Sequence, residues 1–477
     1  MVVGDFATKK QLIIIGGGPG GYHAAIRAAQ LGLEVMIIEK EKVGGVCLHK
    51  GCIPSKALTH AASSFSQLSH MKDIGIETGE TSFSLEAFGS YQTSVVSGLQ
   101  KGVEALIKAN KIELVSGTAS FISENRIGVD SGHHFEMYEF ENVLIATGSA
   151  PILPDGVRLS KRIFSSHTVW SLSDLPQHLI VYGNDYFALE AAASFRQLGS
   201  EVTLITPEDG FGFDNSIEKE LLRVMKKSKV KILRNHAWSS VEEGESTVTL
   251  SLNNGKGDIA AVEGTHLLIS AGYRPNVESL GVEVLNLDRD DRGYLIVNGQ
   301  SQTSVKNIYA AGDCTIGPML ASKAIKQAKV AAEHMTGVNS EYNLAFVPQI
   351  VHTIPPIAAA GLSEDEARAQ GLEVKTGQFA MGGNGYASII GQKEGIVKVI
   401  IDAETDVLLG VHMIGAGAAE MIHSAVTSLE LVAREEDITY PIYAHPALNE
   451  SWLEAAESLS GKAIHIAPAK KRDMSKV

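Results

Sequence analysis

The sequence predicts an α/β fold: a Rossmann-like unit at the N-terminus, a second strand-turn-helix unit near the middle, and a change to antiparallel strands after Ala345. Three observations lead there. Gln11 to Ile15 is a short aliphatic run followed at once by Gly16-Gly17-Gly18-Pro19-Gly20-Gly21 and an alanine-rich stretch. Leu179 to Tyr182 is a second such run, followed by a turn at Gly183 and a helical stretch from Phe187 to Leu198. Ile389 to Asp402 and Val407 to Ile414 then read as antiparallel strands, with a helix over Ala418 to Ala433. Unbroken aliphatic runs of this length are the pattern of parallel strands buried on both faces.

At 477 residues the chain is long enough for about three domains. Apolar content of 44% and charged content of 20% place it among globular proteins with ample material for cores. A net charge of −14 excludes nucleic acid and anionic membrane surfaces as partners, because the long-range field repels phosphates. Three cysteines are too few for a disulfide scaffold and point to a reducing, cytoplasmic setting. Leu12 to Ile15 is too short for a signal-peptide core, and no apolar run reaches membrane-spanning length. The short basic run Lys470-Lys471-Arg472 reads as a solvated terminus.

In the first unit, Gly16, Gly18 and Gly21 fit G-x-G-x-x-G directly after a strand. That spacing serves a tight turn, close backbone approach to a pyrophosphate, and close packing of the next helix, Tyr22 to Leu31. The helix N-terminus directs partial positive charge at the phosphates. A second strand, Leu33 to Ile38, ends in Glu39, placed to accept hydrogen bonds from a ribose. The motif alone does not distinguish NAD from FAD.

Next comes Gly44-Gly-Val-Cys47-Leu-His-Lys-Gly-Cys52-Ile-Pro-Ser-Lys56. Residues five apart in a straight helix lie roughly 8.6 Å apart at Cα, beyond the roughly 7 Å that a disulfide tolerates. A bridge here needs a bent backbone, which Gly44, Gly45, Gly51 and Pro54 permit. Backbone strain of this kind makes a disulfide easier to reduce, so the pair reads either as a working redox couple or as two reduced cysteines. Farther on, Val143 to Ser149 and Asn307 to Asp313 are strands ending in small-residue turns, at Thr147-Gly148 and Gly312-Asp313.

Together with Ala146-Thr147-Gly148, Gly312-Asp313 and a late His445-Pro446, these segments resemble the flavin-dependent disulfide oxidoreductases. The wording of the cysteine segment, and Gly410-Val-His-Met-Ile-Gly415, are similar to the dihydrolipoamide dehydrogenase group of that family. The resemblance runs from about Gln11 to Ile466. It implies two Rossmann-like domains, for FAD and NAD, and a C-terminal α+β domain forming a homodimer. The expected boundaries are 1–150 and 273–344 for the two parts of the FAD and central region, 151–272 for the NAD-like domain and 345–477 for dimerisation. Carried over, Cys47 exchanges with a dihydrolipoyl substrate and Cys52 faces the flavin, while Lys56 pairs with Glu190. The implied FAD set is Gly16, Gly18, Gly21, Glu39, Lys56, Gly117, Thr147, Gly148, Gly312 and Asp313. Gly183 and Gly272 belong to the NAD side, and no metal ligands are assigned. His445 is the implied base, contributed to the other subunit's disulfide and oriented by Glu450. Imidazole suits proton transfer near neutral pH, and dithiol oxidation needs a thiolate. Implied partners are a lipoyl-domain protein of a 2-oxoacid dehydrogenase or of the glycine cleavage system; a non-catalytic flavoprotein subunit of such a complex is the alternative.

The middle of the chain departs from that pattern. Gly183-Asn184-Asp185-Tyr186-Phe187-Ala188-Leu189-Glu190 keeps only the first of three glycines, with Asp185 at the second place and Ala188 at the third. A carboxylate about 4 Å from a phosphate charge costs up to about 4 kcal/mol at an effective dielectric near 20, close to a thousandfold in affinity. The strand Glu201 to Ile205 runs into Thr206-Pro207, where an acid would meet the ribose, and Glu208 comes two residues late. Either NAD binds weakly or through a rearranged loop, or the unit keeps its fold and the electrons leave by another acceptor. Ser322 and Gln327 stand where relatives often carry His and Glu, so hydrogen bonding beside the flavin turn is expected to differ.

Overall fold

The computed structural model describes residues 7–254 and 259–467, so the basic run at Lys470 to Arg472 lies outside the described residues. Strand β1 spans Thr8–Ile15, and Leu12 to Ile15 are at most 4% exposed. Alternation along the strand sends Ile13 and Ile15, with Met36 and Ile38, into one apolar cluster. Leu12 and Ile14, with Val35 and Ile37, enter another on the opposite face. Both faces are covered, which is why the run is aliphatic throughout instead of alternating with polar residues. Helix α1 (Pro19–Gln30) contributes Ala24, Ala25 and Ala28 to the second cluster.

Strand β2 is Val35–Glu39, starting two residues later than the sequence pattern indicates; Leu33 instead packs at the edge of the cluster. Between β2 and the next strand run α2 (Gly45–His49), α3 (Cys52–Leu68) and the long α4 (Leu85–Ala109). Strands β3 (Glu113–Ser116), β4 (Thr118–Ser123), β5 (Arg126–Asp130) and β6 (Phe135–Ile145) complete a sheet ordered β3-β2-β1-β6-β5-β4. Its seventh strand, Ile308–Ala310, returns from far along the chain to pair in parallel with β6. The carboxyl ends of β1, β6 and Ile308–Ala310 thus deliver Gly16, Gly18 and Gly20, Thr147-Gly148 and Gly312-Asp313 to one crevice, while Gly21 packs behind it on the Gly16 carbonyl.

The second unit is a five-stranded parallel sheet ordered 231–233, 201–205, 178–183, 266–270, 163–165. Helix α5 (Tyr186–Gln197) buries every residue from Phe187 to Phe195. An antiparallel meander over 237–264, missing from the sequence reading, sits beside it. The chain enters and leaves the unit side by side, because Ser149–Pro151 pairs antiparallel with Tyr273–Pro275.

The C-terminal sheet has five antiparallel strands, ordered 349–351, 357–361, 408–415, 395–402, 374–380. Here the strand expected from Ile389 begins only at Gly395: residues Gly385–Ile389 form a short helix, and Gly391, at φ +70°, turns the chain between them. The helix expected to reach Ala433 ends at Glu430.

Helix α6 (Asn215–Lys227) is tied to this sheet by a buried ion cluster. Lys398 Nζ donates to both Asp214 oxygens at 2.9 Å and to Glu364 at 2.7 Å, and the Lys398 and Asp214 side chains are 2% and 1% exposed. Burial pushes the Asp214 carboxyl up, but Lys398 and the backbone N–H groups of Ser216 and Glu364 outweigh it and hold it below the usual range. Lys398 likewise holds Glu364 down. Depressed carboxylates stabilise the fold above their ordinary values of 3.8 and 4.5, and that contribution is lost as pH falls through the depressed ones. Removing one partner of a buried pair costs about 3–5 kcal/mol, whereas replacing both with apolar groups is far milder. Asp214→Ala is therefore expected to lower the thermal unfolding midpoint at fixed protein concentration, and Asp214→Ala with Lys398→Met to recover part of the loss.

Candidate active site

The cysteine segment is two helices with a break between them, not one. Cys47 lies in α2 and Cys52 opens α3, with Lys50 and Gly51 leaving helical geometry between them. This bend brings the two Cα atoms to 4.5 Å and closes the Cys47–Cys52 disulfide. The backbone of Gly45 has φ +59°, and a Cβ there would lie 2.7 Å from the Gly18 Cα. The disulfide segment therefore packs backbone to backbone on the turn after β1. Cys314, the third cysteine, is fully buried and free, and burial pushes its thiol up to about 11.

One helical turn beyond Cys52, Lys56 Nζ donates to both Glu190 oxygens at 2.8 and 2.9 Å. Glu190 is fully buried on α5 and also accepts the His352 N–H at 3.0 Å. Lys56 Nζ lies 5.9 Å from the centre of the Tyr186 ring. Tyr186 in turn lines the crevice, although Lys56 itself does not.

That crevice has a volume of about 720 Å³ and brings together Gly16, Gly18, Glu39, Cys47, Cys52, Gly117, Thr147, Gly148, Gly312 and Asp313. Glu39 accepts the Gly17 and Glu41 N–H groups at 2.6 and 2.7 Å. Asp313 faces the same space, where burial pushes its carboxyl up against the opposing pull of Lys323 and Ser149. Gln327, one of the two departures beside this turn, accepts the Gly312 N–H at 2.8 Å and donates to Tyr342 at 3.0 Å, so it clamps the turn. Lys323 Nζ donates to the Thr315 and Ile316 carbonyls.

His445 and Glu450 are not part of the crevice. His445 Nδ1 and Glu450 are 2.7 Å apart, and the His445 side chain is 79% exposed. Burial alone would raise the Glu450 carboxyl, but His445 and the Ala447 N–H hold it below the usual range. Glu450 is thus an ionised acceptor that fixes the ring with Nδ1 protonated and Nε2 open to accept a proton.

The pyridine nucleotide-disulphide oxidoreductase family pattern matches residues 10–328, and that family's dimerisation domain matches residues 347–456. This chain belongs to the pyridine nucleotide-disulphide oxidoreductase family. Dihydrolipoyl dehydrogenases of Staphylococcus aureus and Geobacillus stearothermophilus are 39% and 37% identical to it, each over 98% of this chain and 100% and 99% of their own. The crystal structure of LpdA from Mycobacterium tuberculosis superposes with a TM-score of 0.88 at 26% identity, covering 95% of this chain and 100% of that one. As in the rest of the family, the chain is a FAD-dependent disulphide oxidoreductase, and its dimerisation domain supports a homodimer. No helix among the described residues is long and apolar enough to cross a membrane.

The crevice fits FAD. The first turn of α1 is capped by Gly18 with no side chain over it, leaving its N–H groups open to a pyrophosphate. Thr147 Oγ1 is buried in the crevice wall without a hydrogen-bond partner, as an atom awaiting a ligand would be. The nucleotide unit of this family member fits a dinucleotide less well. Gly183 keeps φ +150° where a Cβ would meet the Ser270 carbonyl at 2.3 Å, but Asp185 caps α5 with its own carboxylate. Thr206 is fully buried at the end of its strand. Glu208, two residues past Thr206, accepts from the Asn184 side chain at 2.9 Å and so lies beside the turn. Gly272, at φ +105°, lies outside the FAD crevice and accepts the Ile152 N–H at the entry ribbon.

Among the crevice residues to which the sequence assigns no role are His167, Tyr186 and Tyr273. Tyr186 was within reach, since it precedes Glu190 by four on one helix and shares its face. His167, which burial pushes down to about 4, comes from an irregular segment with no periodic signal. A Cβ at Gly21 would lie 1.8 Å from the Gly16 carbonyl oxygen. Gly21→Ala is expected to introduce about 1–3 kcal/mol of misfit, weakening FAD binding roughly ten- to a hundredfold; the flavin-to-protein absorbance ratio of the purified variant measures it.

Proposed function

We propose that this flavoenzyme oxidises dihydrolipoyl groups through the Cys47–Cys52 disulfide, as a dihydrolipoyl dehydrogenase of a reducing, cytoplasmic compartment. The observation that carries the reading is the bridged pair itself, in the crevice wall at the first turn of α3 and pressed on the FAD turn. Full-length likeness to dihydrolipoyl dehydrogenases supports the substrate class. A lipoyl-bearing protein of a 2-oxoacid dehydrogenase or of the glycine cleavage system is the natural donor. Residues 1–150 and 273–344 would form the FAD and central region, 151–272 the nucleotide-like domain, and 345–477 the dimer domain.

In this account His445 of the second subunit takes a proton from one substrate thiol at Nε2 while Glu450 holds Nδ1. The thiolate attacks Cys47 Sγ, the Cys47–Cys52 bond breaks, and Cys52 leaves as a thiolate. The second substrate thiol then displaces Cys47, closing the substrate's disulfide and leaving two reduced cysteines. Two electrons and two protons have passed from substrate to protein. FAD, when bound, supplies the two-electron reoxidation of that dithiol. Gly16, Gly18, Gly21, Glu39, Gly117, Thr147, Gly148, Gly312 and Asp313 would hold it, with Lys56 kept in place by Glu190. The exposure of His445 and its absence from its own chain's crevice support a role across the dimer interface. A second reading, in which an acceptor other than NAD completes the cycle, is favoured by Asp185.

Cys47→Ser is expected to abolish dihydrolipoamide turnover while FAD stays bound; full activity in that variant would refute the assignment. His445→Gln is expected to lower kcat by roughly 10²–10⁴ with FAD content unchanged. Dithionite titration of the unaltered, FAD-loaded protein should give the long-wavelength charge-transfer absorbance of a Cys52 thiolate against the flavin, and its absence would favour a non-catalytic flavoprotein.

A further inference from the structure

The chain builds the same strand-turn-helix twice, and the two copies allow a direct comparison. After β1 the turn is Gly16-Gly17-Gly18; after the strand His178–Gly183 it is Gly183-Asn184-Asp185. Gly16 and Gly183 both have positive φ, and in each a Cβ would strike the carbonyl of the adjacent strand, at 2.4 Å from Ala146 and 2.3 Å from Ser270. Gly18 caps α1 at φ −69°, ψ −174°, and Asp185 caps α5 at φ −84°, ψ 176°. The cap backbone is therefore nearly the same, and no rearranged loop makes room for the aspartate. What differs is the side chain. At α1 nothing covers the first turn, whereas at α5 the carboxylate accepts the Ala188 N–H at 2.9 Å and the Ser270 hydroxyl at 2.5 Å.

Burial pushes the Asp185 carboxyl above the usual carboxylate range, and these two bonds, each donated to its oxygens, limit the rise and favour the ionised form. Tyr273 extends the arrangement, with its hydroxyl 3.5 Å from Ser270 and donating to Ser166 at 2.7 Å. On the ribose side the departure is smaller than the sequence indicates, because Glu208 returns to the turn through Asn184. The obstacle to a dinucleotide is therefore concentrated at one residue.

We propose that the Asp185 carboxylate takes the place of a bound pyrophosphate at the N-terminus of α5, making Asp185 the residue by which this chain discriminates against pyridine dinucleotides. An internal anion already satisfies the helix terminus and the Ser270 hydroxyl, so an incoming diphosphate meets like charge and an occupied position. The proposal rests on the nucleotide-domain assignment above, not on the thiol chemistry.

Equilibrium dialysis of NAD against oxidised, FAD-loaded protein tests it, comparing the unaltered chain with Asp185→Gly and Asp185→Asn. Glycine restores the α1 arrangement, and asparagine caps a helix as well as aspartate does, so neither change threatens the fold. Asp185→Asn is expected to tighten NAD binding about tenfold or more by discarding the charge, and Asp185→Gly up to about a thousandfold. Low-micromolar NAD binding by the unaltered chain, or variants within about threefold of it, would overturn the proposal. Either failure leaves the dihydrolipoyl reading standing, because that depends on Cys47 and is read without NAD.

Discussion

The Lys56–Glu190 ion pair is the contact on which the arrangement of the two halves depends. Glu190 has no exposed surface, and a buried carboxylate without a cation is costly enough that its partner's position is dictated. Lys56 stands on the helix that opens with Cys52, and Glu190 on the helix that opens with Asp185. Leu58 and Ala62 of α3 share one apolar cluster with Ala188, Ala191 and Ala192 of α5, so packing and charge impose the same relation between them. Losing Lys56 would cost about 3–5 kcal/mol. A surface pair such as Lys375–Asp406, about half exposed on both sides, contributes roughly 0–1 kcal/mol. The disulfide is thus fixed from two directions, by Gly45 against Gly18 and by Lys56 against Glu190.

From that frame follows a division of labour. The crevice at the carboxyl ends of β1 and β6 is open where a flavin dinucleotide needs it to be, with Gly18 bare and Thr147 unpartnered. The second unit repeats the turn with nearly the same backbone and fills the anion position from within. A fold can keep its packing while its ligand preference changes, because β-sheet register and helix burial are indifferent to one cap residue. Asp185 caps α5, so the helix start is kept while the anion position is filled.

Much of this was legible in the sequence because it rests on local chemistry. Aliphatic runs ending in glycine turns gave β1, the strand at 178–183 and the α/β class. The spacing of Cys47 and Cys52 required a bend, and the break between α2 and α3 supplies it. The meander at 237–264 and the β4–β6 hairpins were not legible, since short half-exposed strands carry weak periodicity. The early start assigned to the strand at Gly395 came from counting Ile389 and Ile390 as strand residues when they close a helix turn. The contact of Glu208 with the turn was not legible because it depends on the Asn184 side chain, 24 residues away. The clamp of Gln327 on Gly312 is likewise a tertiary fact.

The central claim is that electrons enter this flavoprotein readily from a dithiol and poorly from a pyridine nucleotide. Rapid mixing of the oxidised holoenzyme, without oxygen, with dihydrolipoamide and separately with NADH at equal concentration tests it most directly. The account predicts fast spectral reduction by dihydrolipoamide, and reduction by NADH that is slow and does not saturate in the micromolar range. Rapid, saturating reduction by micromolar NADH would contradict it.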